Sequence, residues 1–377
     1  GANVGYIHSV QHSVPNQSTA ANSANLMYFT SSIAPIYPAY VRVVDANGNV
    51  VIKQDDRGHN AYDFGIPSND YGLNRPFMST ANPLAANQYD VLENGGDQLN
   101  ATFTADVNIT SFLKANVTST VNWGQTNYSN YSNPFYGSKV GVNGEINKQS
   151  TSALRTNNVQ TLTYFQDFDR HSVNVMVGHE YYKTTTKFLG AIAQGGFSPS
   201  IPEIDAFAKI SDASSYKSGY NVEGYFGSAQ YNYDQKYFAS ASFRRDASSY
   251  FAKENRWGNF WSVGGAWLIS KENFMQSSAS WLNMLKLKFS VGQQGNDNIG
   301  AYAYTDLYDL VPTGSTSMGA TFKRMGNPDI TWETTTNYNL GVEFSLWEGR
   351  LSGNVDYYVK KTSDLLFWQH AIFFLLQ

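Results

Sequence analysis

The sequence of 377 residues contains no cysteine and few charged residues. Without cysteine the chain has no disulfide, no thiolate nucleophile and no zinc–thiolate site. Charged residues make up 15% of the chain, well below the roughly 25% that is usual for soluble domains. The net charge is −4, and no cluster of Lys and Arg provides the basic surface that nucleic acid requires. We therefore expect no nucleic-acid partner.

Long apolar runs are also missing. No stretch of 18 or more apolar residues occurs, so the sequence predicts no transmembrane helix. The first residues do not have the features of a signal peptide, and we expect the natural N-terminus to lie upstream of Gly1. If this protein resides in a membrane, it must cross the bilayer as β-strands.

Aromatic and uncharged polar residues take the place of the missing charges. The chain has 26 Tyr, 23 Phe and 8 Trp, and its mean hydropathy is −0.39. This mixture suits a wall that is wet on one face and apolar on the other. The aromatic residues fit two roles, which are girdles at membrane interfaces and stacking platforms for sugar rings.

Many segments alternate between apolar and polar residues. In LKLKFSV, residues 285–291, Leu285, Leu287 and Phe289 share one face, and Lys286 and Lys288 share the other. This period of two is typical of a β-strand with one apolar face. The pattern predicts about ten strands, at 99–109, 113–127, 154–166, 171–184, 221–233, 236–247, 258–270, 284–292, 334–346 and 350–361.

The connections between these strands alternate in length. Long connections are predicted at 128–153, 185–220 and 293–333, and the short turns between them are rich in aromatic residues. Outer-membrane barrels have this asymmetry, with short periplasmic turns and long outward loops. The fold class predicted is all-β, an antiparallel up-and-down transmembrane β-barrel. The residues expected to face lipid are Tyr225, Ala229, Tyr231, Tyr338, Leu340, Val342, Phe344, Leu351, Val355 and Tyr357.

The chain is expected to divide into three parts. Residues 1–98 are predicted to be an irregular, loop-rich region, outside the barrel or in its lumen, with one hairpin in VRVVDANGNVVIK. Residues 99–366 supply the barrel strands and loops, and residues 367–377 form an atypical tail. The hairpin sequence also resembles a calcium loop that runs from Asp45 to Asp56, but glycine is missing from the position of the sharp turn. Asn-Gly favours a simple hairpin turn instead.

Enzymatic and metal sites are not predicted. His179-Glu180 begins like a zinc-protease motif, but Lys183 stands where the second histidine is needed. The six histidines are scattered, so no catalytic triad can be assembled from the sequence. We expect no catalytic residue, no metal ligand and no cofactor.

Two groups of residues are candidates for function. A predicted strand contains three charged residues, Arg244, Arg245 and Asp246. The energetic cost of such charges is low only where they face a polar lumen or lie at a rim. They either pair within the wall or contact solute. Aromatic residues in outward connections could contact solute or a lid, or could simply pack within the loops; they are Trp257, Tyr302, Tyr304 and Tyr308.

Three long blocks resemble the SusC/RagA family of TonB-dependent outer-membrane transporters of Bacteroidetes. They are YNYDQKYFASASFRRDASSYFAKENRWGNFWSVGGAWLISKENFM, WLNMLKLKFSVGQQGNDNIGAYAY and GNPDITWETTTNYNLGVEFSLWEGRLSGNVDYYVKKTSDLL. SIAPIYPAYVR and SVNVMVGHEYY are also similar to that family, so the likeness runs from about residue 30 to residue 366.

The resemblance implies a fold, a location and partners. The family's barrel has about 22 strands closed by a plug, so this chain is expected to match the middle of such a barrel, without plug, TonB box or C-terminal strands. The implied function is import of oligosaccharides or peptides across the bacterial outer membrane. The implied partners are a SusD-like lipoprotein lid and TonB–ExbB–ExbD, with the strands in contact with outer-membrane lipid. Two alternatives stay open, a passive porin or surface adhesin, and a secreted β-rich carbohydrate-binding protein or glycosidase.

Overall fold

A single large antiparallel sheet dominates the computed structural model, which describes residues 1–13, 25–55, 58–65, 75, 82–135, 139–198 and 200–367. The sheet has 11 strands, and each lies next to the wall strands that precede and follow it in the chain. These strands are β1 (Ala2–Ser13), β4 (Val91–Asn108), β5 (Leu113–Ser132), β6 (Glu145–Phe168), β7 (His171–Gly196), β8 (Phe207–Tyr233), β9 (Tyr237–Ser248), β10 (Trp257–Leu268), β11 (Leu282–Asn296), β14 (Glu333–Leu346) and β15 (Leu351–Ser363).

Smaller elements lie in two of the connections. Between β1 and β4 the chain forms α1 (Leu26–Ser32), β2 (Arg42–Val44), β3 (Val50–Ile52) and α2 (Pro83–Tyr89), and between β11 and β14 it forms β12 (Leu307–Pro312) and β13 (Met318–Arg324). No helix among the described residues is long and apolar enough to cross a membrane.

The predicted hairpin around Asn47-Gly48 is confirmed, because β2 pairs with β3 in antiparallel register. Asp45 accepts hydrogen bonds from the backbone N–H of Asn47 at 2.9 Å and of Asn49 at 2.8 Å. The hydrogen bond from the Asn49 backbone lowers the pKa of Asp45. The carboxylate therefore caps the turn as an anion. Asp56, the last residue of the alternative calcium loop, lies outside the described residues.

The wall has one apolar face and one polar face. Directly opposed residues in neighbouring strands share a face, and one such row is Val177, Gly227, Phe243 and Trp261. We call the face of this row the apolar face. The adjacent row on the other face consists of Met176, Ser228, Ser242 and Ser262, and we call that side the polar face.

The residues predicted to face lipid all lie on the apolar face. Tyr225 and Ala229 alternate with polar-face residues in β8, and Leu340 pairs directly with both Phe289 and Tyr357. Many of these side chains are exposed, for example Val355 at 68% and Tyr357 at 69%. No second sheet packs on this face in the part of the chain that the structure describes. The apolar face is thus a surface and not the inside of a sandwich.

The connections separate to the two edges of the sheet, as predicted. Strand order and antiparallel pairing place the connections 109–112, 169–170, 234–236, 269–281 and 347–350 on one edge, the short-turn edge. The strand ends that flank the connections 14–90, 133–144, 197–206, 249–256 and 297–332 lie on the other edge, the long-loop edge.

Aromatic rings mark the short-turn edge of the apolar face. His171, Tyr233, Tyr237 and Trp267 are successive direct partners across four strands. Their ring centroids are 4.9, 6.2 and 6.3 Å apart. Tyr225 begins a second aromatic level, nearer the long-loop edge, and its ring lies 4.8 Å from that of His179. Along the barrel axis, Tyr225 and Tyr233 are about 20 Å apart once strand tilt is included. This separation is close to the height of the apolar band of outer-membrane barrels, roughly 25 Å.

A carboxylate holds the longest connection of the short-turn edge against the wall. Glu272 Oε1 accepts hydrogen bonds from Tyr237 Oη at 2.5 Å and from Trp267 Nε1 at 3.0 Å. These two hydrogen bonds, that of Tyr237 first, lower the pKa of Glu272. The connection 269–281 is therefore tied to the β9–β10 aromatic pair through one side chain.

Several strands are longer than predicted. The connections expected at 128–153 and 185–220 are mostly strand, because β5 extends to Ser132, β6 begins at Glu145, β7 extends to Gly196 and β8 begins at Phe207. These extensions carry polar residues on both faces, as in KISDASSYKSGY. A strand that is wet on both faces has no apolar alternation to reveal it.

The wall also includes a strand that was not predicted. Residues 1–98 were expected to be irregular, yet β1 pairs with β4 from Ala2↔Phe103 to Ser13↔Leu92, and β4 already starts at Val91. The alternation of β1 is broken by Ile7 on the polar face and His8 on the apolar face, and its partner strand is about a hundred residues away in sequence. Whether residues between β1 and β4 fold outside or into the lumen stays a prediction.

The strands differ strongly in height. β6, β7 and β8 have 24, 26 and 27 residues, whereas β9 and β10 have 12 each. Because the short-turn edge is common to all of them, the extra length projects from the long-loop edge. The wall is tall up to β8 and low from β9 onward.

Candidate functional site

A cluster of charges lies on the polar face near the long-loop edge. Arg244 Nε donates to both carboxylate oxygens of Asp246 at 2.8 Å, and Arg244 Nη2 donates to Glu180 Oε2 at 2.8 Å. Asn157 Nδ2 donates to the other Glu180 oxygen at 3.0 Å. One guanidinium thus holds two carboxylates contributed by strands β7 and β9.

The backbone between these strands makes room for the guanidinium. Gly224 lies in the same row as Glu180 and Asp246. A Cβ at position 224 would come within 2.8 Å of Arg244 Nη2, so a larger residue would displace the side chain. The Arg244 guanidinium also lies 5.3 Å above the ring of Phe226, which supports it from the wall.

The charges are partly buried, and their pairing offsets the cost of burial. Asp246 is only 8% exposed. Burying an unpaired carboxylate is costly, whereas charge-assisted hydrogen bonds from arginine replace much of the lost hydration. With two carboxylates for one cation, the cluster keeps an excess of acceptor oxygens. Such oxygens can accept hydrogen bonds from hydroxyl, amide or ammonium groups.

A hydrophobic cluster covers the wall beside these charges. It consists of Phe251, Phe260, Ile299, Ala303 and Trp332, and we call it the loop core. Trp332 lies 5.5 Å from the Phe251 ring and 5.3 Å from the Phe260 ring. The loop core joins the connections 249–256 and 297–332 to β10.

Hydrogen bonds reinforce the loop core. Trp332 Nε1 donates to the backbone oxygen of Arg256 at 2.8 Å, and Asn255 Nδ2 donates to that of Pro328 at 2.9 Å. Both bonds join the connection 249–256 to the connection 297–332. The two connections therefore form one packed unit rather than two independent loops.

Tyrosines tie this unit to the tall part of the wall. Tyr220 Oη donates to Asp297 at 2.6 Å, and the Tyr250 ring lies 4.3 Å from that of Tyr220. Burial, followed by the nearby charge of Asp297, raises the pKa of Tyr250. Tyr250 therefore stays neutral and keeps its hydroxyl proton at physiological pH.

A pocket of about 330 Å³ opens between the charges and the loop core. Its polar lining comes from Arg244, Asp246 and Gln294, and its aromatic lining from Phe260 and Trp332. Convergent polar groups beside aromatic faces are what a binding site for a polar solute requires.

The three predicted charges do not act together. Arg244 and Asp246 lie in this pocket, whereas Arg245 points to the apolar face, where its guanidinium lies 5.0 Å from the Trp257 ring. Trp257 pairs directly with Ala247 and stacks on Tyr225 at 6.3 Å, which also places it on the apolar face. The wall therefore separates Trp257 from the pocket, and contact of Trp257 with a solute or a lid stays a prediction.

The three predicted tyrosines all lie in the connection 297–332. Tyr302 is 49% exposed, Tyr304 is half-buried, and Tyr308 is 57% exposed with its ring 5.7 Å from that of Phe322. Tyr302 and Tyr304 flank Ala303 of the loop core, Tyr308 lies in β12, and none of the three lines the pocket. Contact with a solute or a lid stays a prediction for them.

Sequence reasoning missed most of the pocket. Phe260 and Trp332 of the lining, and Glu180 and Asn157 of the hydrogen-bonded cluster beside it, come from distant parts of the chain, and no local spacing links them. The available signal was strand parity: Phe260 breaks a run of small polar-face residues in β10, and Glu180 shares its polar face with Arg244.

A second set of charges lies on the polar face closer to the short-turn edge. Lys288 Nζ contacts Glu343 at 2.9 Å and Asp356 at 3.0 Å, and Lys286 Nζ lies 3.6 Å from Glu343. These charges pair across β11, β14 and β15. The polar face therefore carries ion pairs both near the long-loop edge and closer to the short-turn edge.

Comparison with known proteins identifies the family. The family described as TonB dependent receptor-like, beta-barrel, matches residues 44–373. The chain belongs to this family. The polar face is thus the lumen side of the receptor wall and the apolar face its lipid side, with the short-turn edge toward the periplasm and the long-loop edge outside.

The relatives of this receptor chain agree with the SusC/RagA resemblance. TonB-dependent receptor P3 of Formosa agariphila is 29% identical over 81% of the chain, and TonB-dependent receptor SusC of Bacteroides thetaiotaomicron is 36% identical over 42% of it. These matches cover 31% and 16% of the two relatives. The chain therefore spans less than a third of each of them.

Solved structures confirm the barrel fold of the receptor. The RagAB peptide transporter matches with a TM-score of 0.72 and 27% identity, over 82% of this chain and 34% of that one. The chain thus forms part of a transmembrane β-barrel, and proteins of this family reside in the outer membrane of Gram-negative bacteria.

Proposed function

We propose that this chain forms part of the wall of a TonB-dependent importer that takes up oligosaccharides or peptides and performs no covalent chemistry. The observation that carries the proposal is the pocket between the Arg244 charges and the loop core. It lies on the lumen side of β9 and β10, next to the long-loop edge, which faces the outside of the cell.

The chemistry of the pocket fits both solute classes. The carboxylate of Asp246 and the side-chain carbonyl of Gln294, which both line the pocket, accept hydrogen bonds from sugar hydroxyls or from the N–H groups of a peptide. The rings of Phe260 and Trp332 offer aromatic faces to the apolar side of a sugar ring or to an apolar side chain. A solved relative is named a peptide transporter, which favours the peptide class.

The proposal extends to the partners. A SusD-like lipoprotein would rest on the long-loop edge and cover the mouth, and TonB–ExbB–ExbD would supply energy from the periplasmic side through a plug. A plug is required because a barrel this wide would otherwise be an open aqueous hole. The exposed tyrosines at 302 and 308 are available for contact with such a lid.

Uptake of labelled probes tests the proposal. Cells carrying the full-length gene, with or without functional TonB, would be given a series of fluorescent oligopeptides and a series of fluorescent oligosaccharides. Uptake of one series that disappears without TonB is expected. Equal uptake in both strains would instead indicate a passive porin.

Single substitutions connect uptake to the pocket. Asp246→Asn is expected to reduce uptake severalfold, because it removes an acceptor and weakens the hold on Arg244. Asp234→Asn is the matched control, since Asp234 lies in a periplasmic turn with a positive φ of 51° that asparagine tolerates well. Equal loss in both variants would argue against a role for the pocket.

A further inference from the structure

A groove crosses the lipid side of the wall along β8. Its floor consists of the small residues Gly227, Ala229 and Ala241, and its volume is about 670 Å³. Val177 rises on the β7 side and Phe243 on the β9 side, exposed by 53% and 51%. The register places all five residues on the apolar face.

The groove has a direction. Tyr225 and Arg245, which are direct partners, close its outer end. From Tyr225 to Ala229 it runs four residues, or about 13 Å, toward the centre of the bilayer. Its lining is almost entirely apolar below Arg245, so the groove combines an apolar channel with a cation at the outer interface.

The cation at the end of the groove is not neutralised. Arg244 next to it forms two ion pairs, whereas Arg245 forms none with any carboxylate among the described residues. Glu223, an acid on the same face, accepts a hydrogen bond from Tyr225 Oη at 2.9 Å and contacts His179 Nε2 at 3.2 Å. Arg245 instead lies against the Trp257 ring, which holds the guanidinium at the interface.

We propose that this groove binds a phosphorylated glycolipid of the outer leaflet, with one acyl chain between Val177 and Phe243 and a headgroup phosphate on Arg245. Charge complementarity selects the occupant. An arginine binds phosphate through paired N–H donors, and an apolar channel that opens to lipid accommodates a chain rather than a polar molecule. The inference rests on membership of the barrel family and is independent of which solute is imported.

Lipid binding to the full-length receptor in detergent, measured by native mass spectrometry, tests the proposal. The probes are diphosphoryl lipid A and the same lipid after removal of its phosphates. The natural sequence is expected to bind the phosphorylated form about tenfold more tightly, as one charge-assisted contact allows. Arg245→Gln is expected to abolish this preference.

A second variant tests the channel. Ala241→Phe fills the floor of the groove with an apolar ring and is expected to weaken the binding of both lipids by a similar factor. Because position 241 faces lipid, the larger ring should not disturb the fold. This separates the contribution of the channel from that of the cation.

Matched controls come from the same face. Lys361→Gln removes another cation of the apolar face close to the long-loop edge, and Ala105→Phe adds a ring to that face on β4. Both are expected to bind lipid like the natural sequence. The proposal is overturned if Arg245→Gln keeps the preference for phosphate or if Ala241→Phe binds as well as Ala105→Phe. Because binding is measured without transport, failure here leaves the proposed import function unaffected.

Discussion

Charged side chains in a transmembrane wall are stable only when each one is paired or reaches water. Arg244 meets this condition by holding Asp246 and Glu180, and it does so on the lumen side. Arg245, one residue later, is on the lipid side, where its charge reaches water at the outer interface. Strand parity thus gives two adjacent arginines different environments and different roles.

Removing the shared guanidinium should destabilise the barrel. Arg244→Met leaves Asp246, 8% exposed, next to Glu180 without a cation, at a cost of about 3 kcal/mol. Arg244→Lys should have an intermediate effect, because an ammonium keeps the charge but not the planar set of N–H groups that reaches Asp246 and Glu180 together. Denaturant unfolding of the full-length receptor in detergent measures both. The exposed Arg170 of a periplasmic turn, changed to Met, provides the control and should leave stability unchanged.

A glycine beside the pocket is expected to tolerate no side chain. A Cβ at Gly258 would lie 2.6 Å from Phe260 Cζ and 2.9 Å from Trp332 Cδ1, and both rings are buried and unable to move aside. Gly258→Val should therefore disrupt the loop core and lower uptake. Gly141→Val is the control, since a Cβ there meets nothing within 4 Å. Normal uptake by the Gly258 variant would show that the rings can rearrange.

At the scale of elements, the outer loops are held by a few aromatic contacts rather than by regular structure. The connections 249–256 and 297–332 share the loop core, and Trp332, the last residue of the second connection, contacts Phe251 and the Arg256 backbone in the first. They should therefore loosen together.

Trp332→Ala tests this coupling. Loss of the buried indole should cost about 3 kcal/mol of local stability, and hydrogen exchange should rise in both connections at once. Trp347→Ala, in an exposed periplasmic turn, is the control. Faster exchange confined to 297–332 would mean that the two connections are independent.

The periplasmic connection 269–281 should respond to acid. Because the pKa of Glu272 is lowered in the folded state, its contribution to stability is present above the ordinary glutamate pKa and is lost as pH falls through the lowered value. A spin label on Ser278→Cys, the only cysteine in the chain, should become more mobile in that acidic range. Glu272→Gln should show high mobility at neutral pH already, whereas Glu348→Gln should behave like the natural sequence. Mobility that does not change with pH would exclude this clamp.

The sequence predicted the membrane-spanning parts of the strands better than the strand extensions and connections outside the membrane. In β14, Tyr338, Leu340, Val342 and Phe344 face lipid and their neighbours face the lumen, so alternation reveals the strand and its orientation together. The upper parts of β7 and β8 are wet on both faces and left no such signal. The pocket was harder to predict, because its lining residues Arg244, Phe260 and Trp332 come together only through strand pairing and the packing of a long connection.

The whole molecule is an open sheet with β1 and β15 at its edges. Unpaired backbone groups at such edges are costly in lipid, so the wall must be completed by other strands to form a closed barrel. The apolar face, exposed along its full width, likewise needs a membrane around the finished barrel.

Residues 1–367 produced by themselves are therefore expected not to form a functional pore. Reconstituted into planar bilayers, they should give no defined conductance, and in detergent they should associate through their edges. The full-length receptor is the positive control for folding. Discrete, reproducible channels from the segment alone would show that this sheet can close on itself or with a second copy.

The step from β8 to β9 makes the rim of the receptor slanted. Fifteen extra residues in β8 raise that side by on the order of 40 Å after allowing for strand tilt. Above the short strands the rim is formed instead by the connections 249–256 and 297–332, which the loop core packs together. One side of the mouth is therefore fixed by a continuous hydrogen-bonded sheet, whereas the other side depends on side-chain packing, so we expect a change in the loop core to alter the width of the mouth on that side alone.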